Sequence, residues 1–219
     1  MGRFKLVIII PAKNESATIE KVVDSIKKYG DILVINDASS DNTEEILKKR
    51  KIKYLKNNRA LGYEKTILKG INFLLKKNYT HIATFDADGE HDSNFFRNIK
   101  KYNKYDLIIG NRKSFNRVSE YIFSWITNFF FEIKDPFSGL KIYKVDFLKK
   151  IKIQNKNLLN IFILFQFKFK GGNFFFKQLN VYKRKDNSRL GNTILVNFKI
   201  IYYLLKLFIF LFFLKKKNQ

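Results

Sequence analysis

The chain has 219 residues, a formal net charge of +24 and no cysteine. Its length suits a single α/β domain with its own hydrophobic core, and the absence of cysteine excludes a disulfide framework and a thiolate metal site. The positive charge is uneven, because residues 107–219 contain 22 Lys and Arg but only 5 Asp and Glu. Such a basic half predicts an anionic partner: a phosphorylated substrate, an acidic membrane surface or a nucleic acid.

The first half of the chain alternates apolar strands with amphipathic helices. Apolar, β-branched runs predict strands over residues 4–10, 32–35, 53–55 and 81–85. Helical spacing predicts helices between them, over residues 19–26, from Thr43 onward and over 62–75. This alternation predicts β-α-β units and a mainly parallel sheet, in which ligands bind at the carboxyl ends of the strands. Three polar loops fall at those ends, with Asn14 and Glu15, Asp37 and Asp41, and Asp86 and Asp88.

The second half has a less regular pattern. We predict a helix from Ser93, strands over residues 106–110, 140–143 and 174–181, and a helix over 157–167. The segment 119–131 is strongly aromatic, and its Trp125 and most phenylalanines are expected in the core. No internal repeat and no linker rich in Pro, Gly or Ser is visible. We therefore predict one α/β domain over residues 1–191, followed by a C-terminal segment over 192–219.

Two carboxylates, Asp86 and Asp88, follow the strand predicted at residues 81–85, and Glu90 comes next. Side chains at i and i+2 of an extended segment point the same way, so both aspartates can aim at one point. Two carboxylates that close repel each other unless a cation or a shared proton separates them. Hard divalent cations take oxygen ligands and share them with substrate phosphates. The stretch therefore favours a metal site that binds a diphosphate; the alternative is a solvated acidic turn.

Residues 193–214 form an apolar segment that is followed by three lysines. As a helix it would be about 33 Å long, which is enough to span a bilayer. However, Lys199, Tyr202, Tyr203 and Lys206 fall on one helical face, which favours a helix lying in the membrane interface. We predict an amphipathic, membrane-associated helix. A single membrane span and a helix packed on the domain or in a dimer are the alternatives.

Six short motifs occur along residues 5–191. In chain order they are 11–15 (PAKNE), 36–41 (NDASSD), 86–91 (DADGEH), 110–112 (GNR), 135–139 (DPFSG) and 188–191 (SRLG). In this order they resemble the motifs of glycosyltransferase family 2, and most closely those of its dolichol-phosphate mannose synthase-like branch. The resemblance implies a GT-A fold, which is a Rossmann-like, mainly parallel sheet flanked by helices, and a nucleotide-sugar donor.

The resemblance also implies roles for the motif residues. Those that would bind the nucleotide sugar are Pro11, Asn14, Glu15, Asp37, Asp41 and Asp86. Those that would hold the metal, Mg2+ or Mn2+, are Asp86, Asp88 and Glu90. Those that would act in catalysis are Asp88, Arg112 and Asp135. Those that would contact the acceptor or its phosphate are Arg117, Ser124, Arg184, Ser188 and Arg189.

The implied reaction is metal-dependent, inverting sugar transfer to a polyprenyl phosphate or another membrane-linked acceptor, at the cytoplasmic face of a membrane. A phosphate acceptor is already an oxyanion and needs no general base, so positioning and charge stabilisation suffice. If the acceptor is instead a sugar hydroxyl of a surface polysaccharide, Asp135 is the candidate base. An alternative of another class is a basic, non-catalytic module that binds a membrane or a nucleic acid. Against this alternative, the acidic loops would repel a polyanion, so no nucleic-acid partner is expected.

Three departures from the family pattern stand out. Asn36 replaces the first Asp of the family's D-D pair. Glu64 and Lys65 occupy a stretch where the family usually has Gly and Ala. Glu120 stands where the branch often carries an Arg for the acceptor phosphate, and Arg117 lies one helical turn away.

Overall fold

A computed structural model describes residues 4–115, 117–151, 159–182 and 201–202. The strands are β1 Leu6–Ala12, β2 Asp31–Asn36, β3 Tyr54–Lys56, β4 His81–Thr84, β5 Leu107–Arg112, β6 Lys141–Lys144 and β7 Phe174–Leu179. The helices are α1 Ile19–Ile26, α2 Thr43–Lys49, α3 Tyr63–Leu74, α4 Val118–Phe131, α5 Val145–Leu148 and α6 Leu159–Phe169. Two short 3-10 helices, Ser93–Phe96 and Ile99–Tyr102, lie between β4 and β5.

The strands form one sheet in the order β3-β2-β1-β4-β6-β5-β7. All neighbouring pairs are parallel except those of β6, which runs antiparallel to both β4 and β5. The prediction of a mainly parallel α/β sheet is therefore confirmed. Because β6 is reversed, it begins at the edge where its neighbours end, with Lys141 beside Thr84. We call this edge the carboxyl edge.

Alternate residues of each strand face opposite sides of the sheet, and both sides are covered. On β1, Val7 and Ile9 belong to one buried cluster and Leu6, Ile8 and Ile10 to a second. The first cluster also contains side chains of α3, α4 and α6, and the second contains side chains of α1 and of the 3-10 helices. Burial on both sides explains why β1 reads as a continuous apolar run.

Several local expectations were wrong. The helix predicted from Ser93 is two 3-10 helices, because Arg97 is extended and Asn98 is left-handed, with a φ of 59°. The strand predicted to end at Ile10 continues through Pro11 to Ala12. Trp125 is not in the core, since 68% of it is exposed.

The predicted C-terminal helix over residues 192–219 lies outside the described residues, apart from Ile201 and Tyr202. The boundary at residue 191 therefore stays a prediction. Among the helices that the structure describes, none combines the length and the apolar composition needed to cross a bilayer.

Candidate functional site

The loops after β1 and β2 are joined by hydrogen bonds between side chains and backbone. The Asn14 amide N–H donates to Ser39 Oγ at 3.0 Å, and the Ser40 N–H donates to Asn14 Oδ1 at 2.8 Å. Asn14 and Ala38 both have positive φ angles, of 55° and 52°, which turn the two loops toward each other. The predicted donor-binding residue Pro11 lies below this junction, within β1 and opposite Ile35 of β2.

Asp41 connects this junction to the segment that leads into α1 and to the first residue of α2. Its carboxylate accepts from the Ser16 N–H at 3.0 Å and from the Thr43 N–H at 3.0 Å. The Glu15 N–H in turn donates to Thr43 Oγ1 at 2.8 Å. Burial alone would raise the pKa of Asp41, but the hydrogen bonds from Thr43 and Ser16 outweigh it and lower the pKa to about 2. Asp41 is therefore ionised under all ordinary conditions.

Asp37 is buried and holds the loop that leads into α3. Its carboxylate accepts from Asn57 Nδ2 at 2.7 Å, from the Leu61 N–H at 2.8 Å and from the Gly62 N–H at 2.9 Å. Burial raises the pKa of Asp37, yet these hydrogen bonds outweigh that effect and lower it overall. The structure therefore places Asp37 at the edge of the site as the organiser of residues 57–62.

Asn36, the first departure from the family pattern, is completely buried beside Asp37. Its Oδ1 accepts from the Ser39 N–H at 3.0 Å, as a carboxylate would. Its Nδ2 has no hydrogen-bond partner among the described residues. The substitution of Asn for Asp thus keeps the loop contact and removes one negative charge from this part of the site. We call the loops after β1 and β2, with their residues 13–18 and 36–43, the β2 side of the carboxyl edge.

Asp86 lies at the centre of the edge, after β4. Its Oδ1 accepts from the Tyr63 hydroxyl at 2.6 Å, and its Oδ2 lies 3.6 Å from His91 Nε2. Gly139 packs against the same carboxylate so closely that an added Cβ would lie 2.1 Å from Oδ2. Tyr63 is 41% exposed, and its hydroxyl group lies against the Asp86 carboxylate. Burial and the Asp86 carboxylate both raise the pKa of Tyr63, which therefore remains a hydrogen-bond donor.

Asp88 does not extend the strand as expected. β4 ends at Thr84 and the chain turns at residues 87–88, so the argument that Asp86 and Asp88 point the same way does not apply. Asp88 Oδ1 accepts from the Glu90 N–H at 3.1 Å across Gly89, which has a φ of 78°. Within the described part of the chain, no three His, Cys, Asp or Glu side chains are grouped closely enough to hold a metal by themselves.

The donor set at β4 still has the chemistry of a divalent-cation site. The carboxylates of Asp86 and Asp88 are hard oxygen donors, and both follow β4 at the carboxyl edge. A site for Mg2+ typically takes only one or two carboxylates from the protein and completes its coordination with waters and substrate phosphate. The absence of a third grouped ligand is therefore compatible with a cation that is bound together with a diphosphate. In this arrangement Asp86 and Asp88 would hold the cation.

On the other side of β4, Arg112 and Asp135 form a bidentate ion pair. Arg112 Nε donates to Asp135 Oδ2 at 2.8 Å, and Arg112 Nη2 donates to Oδ1 at 2.9 Å. The Arg112 backbone N–H also donates to Oδ2, at 3.2 Å, and Asp135 is completely buried. Burial lowers the pKa of Arg112, but the contacts with Asp135 outweigh this and raise it overall. Both oxygens of Asp135 are thus engaged in this conformation, which leaves the carboxylate poorly placed to accept a proton from a substrate.

Glu120 extends this pair into a cluster of four charges. It is buried on α4, with Oε1 2.8 Å from Arg117 Nη1 and Oε2 3.3 Å from Arg112 Nη2. Two guanidinium groups are therefore balanced by two carboxylates. Ser124 lies one turn further along α4, and its buried Oγ has no hydrogen-bond partner in the described part of the chain. We call Arg112, Arg117, Glu120, Ser124 and Asp135 the α4 side of the carboxyl edge.

Sequence reasoning missed Lys141, the first residue of β6. Only 1% of Lys141 is exposed, and its ammonium group donates to the carbonyl oxygen of Ser138. Burial lowers the pKa of Lys141 to about 8, although the carboxylates of Asp135 and Asp86 act in the opposite direction. The available signal was a lysine at the start of an apolar strand that directly follows the motif 135–139.

The structure thus brings together most of the predicted site residues. Those that lie along the carboxyl edge are Pro11, Asn14, Glu15, Asp37, Asp41, Asp86, Asp88, Glu90, Arg112, Arg117, Ser124 and Asp135. Arg184, Ser188 and Arg189 lie outside the described residues. The described chain next to that segment reaches the same edge, because the Tyr182 N–H donates to the Glu90 carbonyl oxygen at 2.7 Å.

A family model described as "Glycosyl transferase family 2" matches residues 7–170 of the chain. An uncharacterized protein of Methanocaldococcus jannaschii is 31% identical over 191 residues, which cover 76% of this chain and 83% of that relative. A UDP-N-acetylglucosamine–dolichyl-phosphate N-acetylglucosaminyltransferase of Methanococcus voltae is 28% identical over 103 residues, which cover 38% of this chain and 41% of that enzyme.

Among solved structures, the chain is similar to glucosyl-3-phosphoglycerate synthase from Mycobacterium tuberculosis, in complex with Mn2+, UDP and glucosyl-3-phosphoglycerate. The TM-score is 0.73 and the identity 17%, and the match covers 93% of this chain and 79% of that one. At this identity the likeness concerns the fold, which is GT-A-like: a mainly parallel sheet flanked by helices.

Proposed function

We propose a function for this chain from one premise: it belongs to glycosyl transferase family 2. It is a glycosyltransferase, and its donor is a nucleotide sugar. The finer proposal is a metal-dependent, inverting transfer to a membrane-linked acceptor. The observation that carries it is the carboxyl edge, where hydrogen bonds join the loops after β1 and β2 and the Tyr63 hydroxyl holds Asp86 after β4.

The donor would bind across the β2 side and the end of β4. Carboxylate and amide groups there suit the N–H and hydroxyl groups of a nucleoside. The related synthase solved with Mn2+ and UDP supports the use of a divalent cation. Asp86 and Asp88 would hold that cation, which supplies charge neutralisation for the leaving nucleoside diphosphate. Tyr63 donates a hydrogen bond to Asp86, His91 lies beside the same carboxylate, and the buried Lys141 is close enough to interact with it electrostatically.

The first candidate acceptor is a polyprenyl phosphate at the cytoplasmic face of a membrane. The printed name of the Methanococcus voltae relative, a dolichyl-phosphate transferase, supports it. The basic residues Arg184 and Arg189, predicted to contact this phosphate, also support it. A phosphate oxygen would attack the anomeric carbon of the sugar, and the bond from that carbon to the nucleoside diphosphate would break.

A second candidate acceptor, an uncharged sugar hydroxyl of a membrane-linked glycan, is favoured by the α4 side. Glu120 and Asp135 already balance the charges of Arg112 and Arg117, so those two guanidinium groups attract an anionic acceptor less strongly. Ser124 Oγ, which is buried without a hydrogen-bond partner among the described residues, adds no charge to this side. A hydroxyl acceptor would need a base, and Asp135 could serve only after release from Arg112.

The test begins with the donor. A panel of nucleotide sugars is titrated with and without Mn2+, and thermal unfolding is followed. A donor at one hundred times its dissociation constant stabilises the folded state by about 2.7 kcal/mol. We expect one donor to raise the melting temperature only when the metal is present. The variant Asp88→Asn should lose this shift, whereas Asp146→Asn, an exposed residue of α5 at the opposite edge of the sheet, should keep it.

The acceptor is tested with the same donor, radiolabelled in its sugar. Polyprenyl phosphate in vesicles is offered in one series and a lipid-linked oligosaccharide in the other. Label on the monophosphate supports the first candidate, and label on the oligosaccharide supports the second. Metal-dependent donor binding with neither product would contradict the membrane-linked acceptor, and the absence of any donor binding would contradict the transferase itself.

A further inference from the structure

The outward side of α4 is apolar. Its exposed residues are Val118, Tyr121, Ile122, Trp125, Asn128, Phe129 and Phe130. Val118, Ile122, Trp125 and Phe129 recur at helical spacing and form one stripe, in which Trp125 and Phe129 stack with their ring centroids 6.0 Å apart. Along this helix, which the structure describes in full, no charged side chain interrupts the stripe. We call this surface the α4 outer face.

The opposite side of α4 fixes the orientation of the helix. Phe123 and Thr127 are buried, and Glu120 and Ser124 belong to the candidate site. Thr127 Oγ1 also donates to the Ile133 carbonyl oxygen at 2.8 Å, which holds the end of the helix. Rotation of α4 that hid the aromatic stripe would pull Glu120 away from Arg112, which lies on β5. The contacts of the inward face of α4 thus fix the helix in an orientation that leaves the aromatic stripe exposed.

The surroundings of the α4 outer face are basic. Lys113 precedes the helix and Lys134 follows it, and both are exposed. Glu132, an exposed acid among the described residues next to the end of the helix, is paired with Lys168. The whole chain carries a net charge of +24. A surface that combines tryptophan, tyrosine and phenylalanine with flanking lysines matches the interface of an anionic bilayer, where aromatic rings sit at head-group level and lysines attract the lipid phosphates.

We propose that the α4 outer face binds the surface of an anionic lipid bilayer. This rests on the proposed function in one respect, the membrane-linked acceptor, and adds to it the surface by which the domain itself meets the lipid. A helix with its side chains is about 10 Å across. With the outer face on the bilayer, Glu120 and Ser124 on the inner face lie about 10 Å above the apolar boundary, within reach of an acceptor's head group.

Trp125 makes the proposal directly measurable, because it is the only tryptophan among the 219 residues. The full-length chain is mixed with vesicles of phosphatidylcholine alone or with phosphatidylglycerol, and its tryptophan emission is recorded. We expect a blue shift with the anionic vesicles, and quenching when the lipids carry bromine on their acyl chains. Quenching by acrylamide, which acts from water, should fall at the same time.

Other occupants of the α4 outer face give different results. If the C-terminal segment alone binds lipid, the chain will sediment with vesicles while Trp125 emission stays unchanged. If the C-terminal segment covers the stripe, Trp125 will resist acrylamide before any vesicle is added. If a second copy covers it, that resistance will increase with protein concentration. Each of these three results would overturn the proposal.

A matched pair of variants supplies the second test. Phe129→Glu places a charge in the stripe, and Asn103→Glu makes the same change of charge at an exposed residue that follows the second 3-10 helix, on the other side of the sheet. Because burying a Phe side chain contributes about 1.5–3 kcal/mol, Phe129→Glu should weaken vesicle binding at least about tenfold. Asn103→Glu should change it less than about twofold.

The donor titration separates this inference from the proposed function. Phe129→Glu should keep the metal-dependent thermal shift, since the residue lies outside the carboxyl edge. Equal vesicle binding by the two variants, with donor binding intact, would refute the α4 outer face as the lipid contact and leave the transferase proposal standing. If neither the original chain nor the variants bind any donor, that result would instead contradict the proposed function.

Discussion

The β2 side and the α4 side of the carboxyl edge hold their carboxylates in different ways. Asp37 and Asp41 accept hydrogen bonds mainly from backbone N–H groups of nearby loops. Asp135 and Glu120 are instead paired with two arginine side chains, in a buried cluster. Backbone donors come with the loop conformation, whereas guanidinium groups depend on the identity of single residues.

This difference bears on how each side can change. A hydrogen-bonded carboxylate on the β2 side keeps its donors when neighbouring side chains are replaced. On the α4 side, replacement of one charged residue leaves the opposite charge of its partner uncompensated. A single substitution can therefore change the net charge of this side. Under the proposed function, the β2 side would fix the geometry of donor binding, and the α4 side would set the charge that an acceptor meets.

The largest effect should come from Asp88, between the two sides. Asp88→Ala should reduce turnover by about 10²–10³-fold, as expected when a group that stabilises developing charge is removed. Its melting temperature without ligand should change little. The measurement is the initial rate at saturating donor over a range of Mn2+ concentrations. Undiminished turnover with an unchanged dependence on Mn2+ would show that Asp88 does not hold the cation.

Asp135→Ala should have the largest effect on stability. Removal of Asp135 leaves the partly buried Arg112 without its bidentate partner, and breaking a buried pair costs about 3–5 kcal/mol. Urea unfolding of the variant measures this loss. The control is Asp24→Ala, which removes one of the two acidic partners of the exposed Arg50 and should have little effect. Similar unfolding midpoints for the two variants would refute the distinction between a buried and a solvated pair.

Glu120→Gln should change the preference for the acceptor. With one carboxylate neutralised, Arg112 and Arg117 carry an uncompensated positive charge, which should favour an anionic acceptor. We expect the KM for polyprenyl phosphate to fall by roughly tenfold, a difference of about 1.4 kcal/mol. Glu132→Gln, at the exposed end of the same helix, is the matched control and should leave this KM unchanged. A rise in KM with Glu120→Gln would contradict the assigned charge balance.

Asp41→Asn should have the smallest effect, about 1 kcal/mol of stability at neutral pH, because its hydrogen bonds are only partly buried. The folded-state pKa of Asp41 is about 2, below the unfolded value of about 3.9. Its carboxylate therefore stabilises the fold above about pH 4, and this contribution is lost as the pH falls toward 2. The free energy of unfolding of Asp41→Asn should accordingly depend less on pH in that range than that of the original chain.

Much of the β2 side could be predicted from the sequence. Continuous apolar runs reveal strands that are buried on both faces, and polar loops after them must meet at one edge of a parallel sheet. The positions of Asn14, Asp37 and Asp41 follow from this rule alone. The detailed role of Asp37 does not, because its donors in the loop at residues 57–62 lie about twenty residues away and carry no motif.

The α4 side could be predicted only in part. The pairing of Glu120 with Arg112 depends on how α4 is rotated against the sheet, and a local pattern does not encode that rotation. The same rotation exposes Trp125, which composition would place in the core. Lys141 was missed because a single lysine at the start of a strand usually lies at the surface, whereas the reversal of β6 carries it into the site.

The reversed strand β6 also has a consequence for synthesis on the ribosome. β1 to β4 leave the ribosome first and can pair with one another. The other edge of β4 stays unpaired until β6 is synthesised, more than fifty residues later. Until residue 144 has emerged, that apolar strand is an unpaired edge, open to association with other nascent chains. We expect truncated chains that end before β6 to aggregate, and chaperone demand during translation to be greatest in this interval.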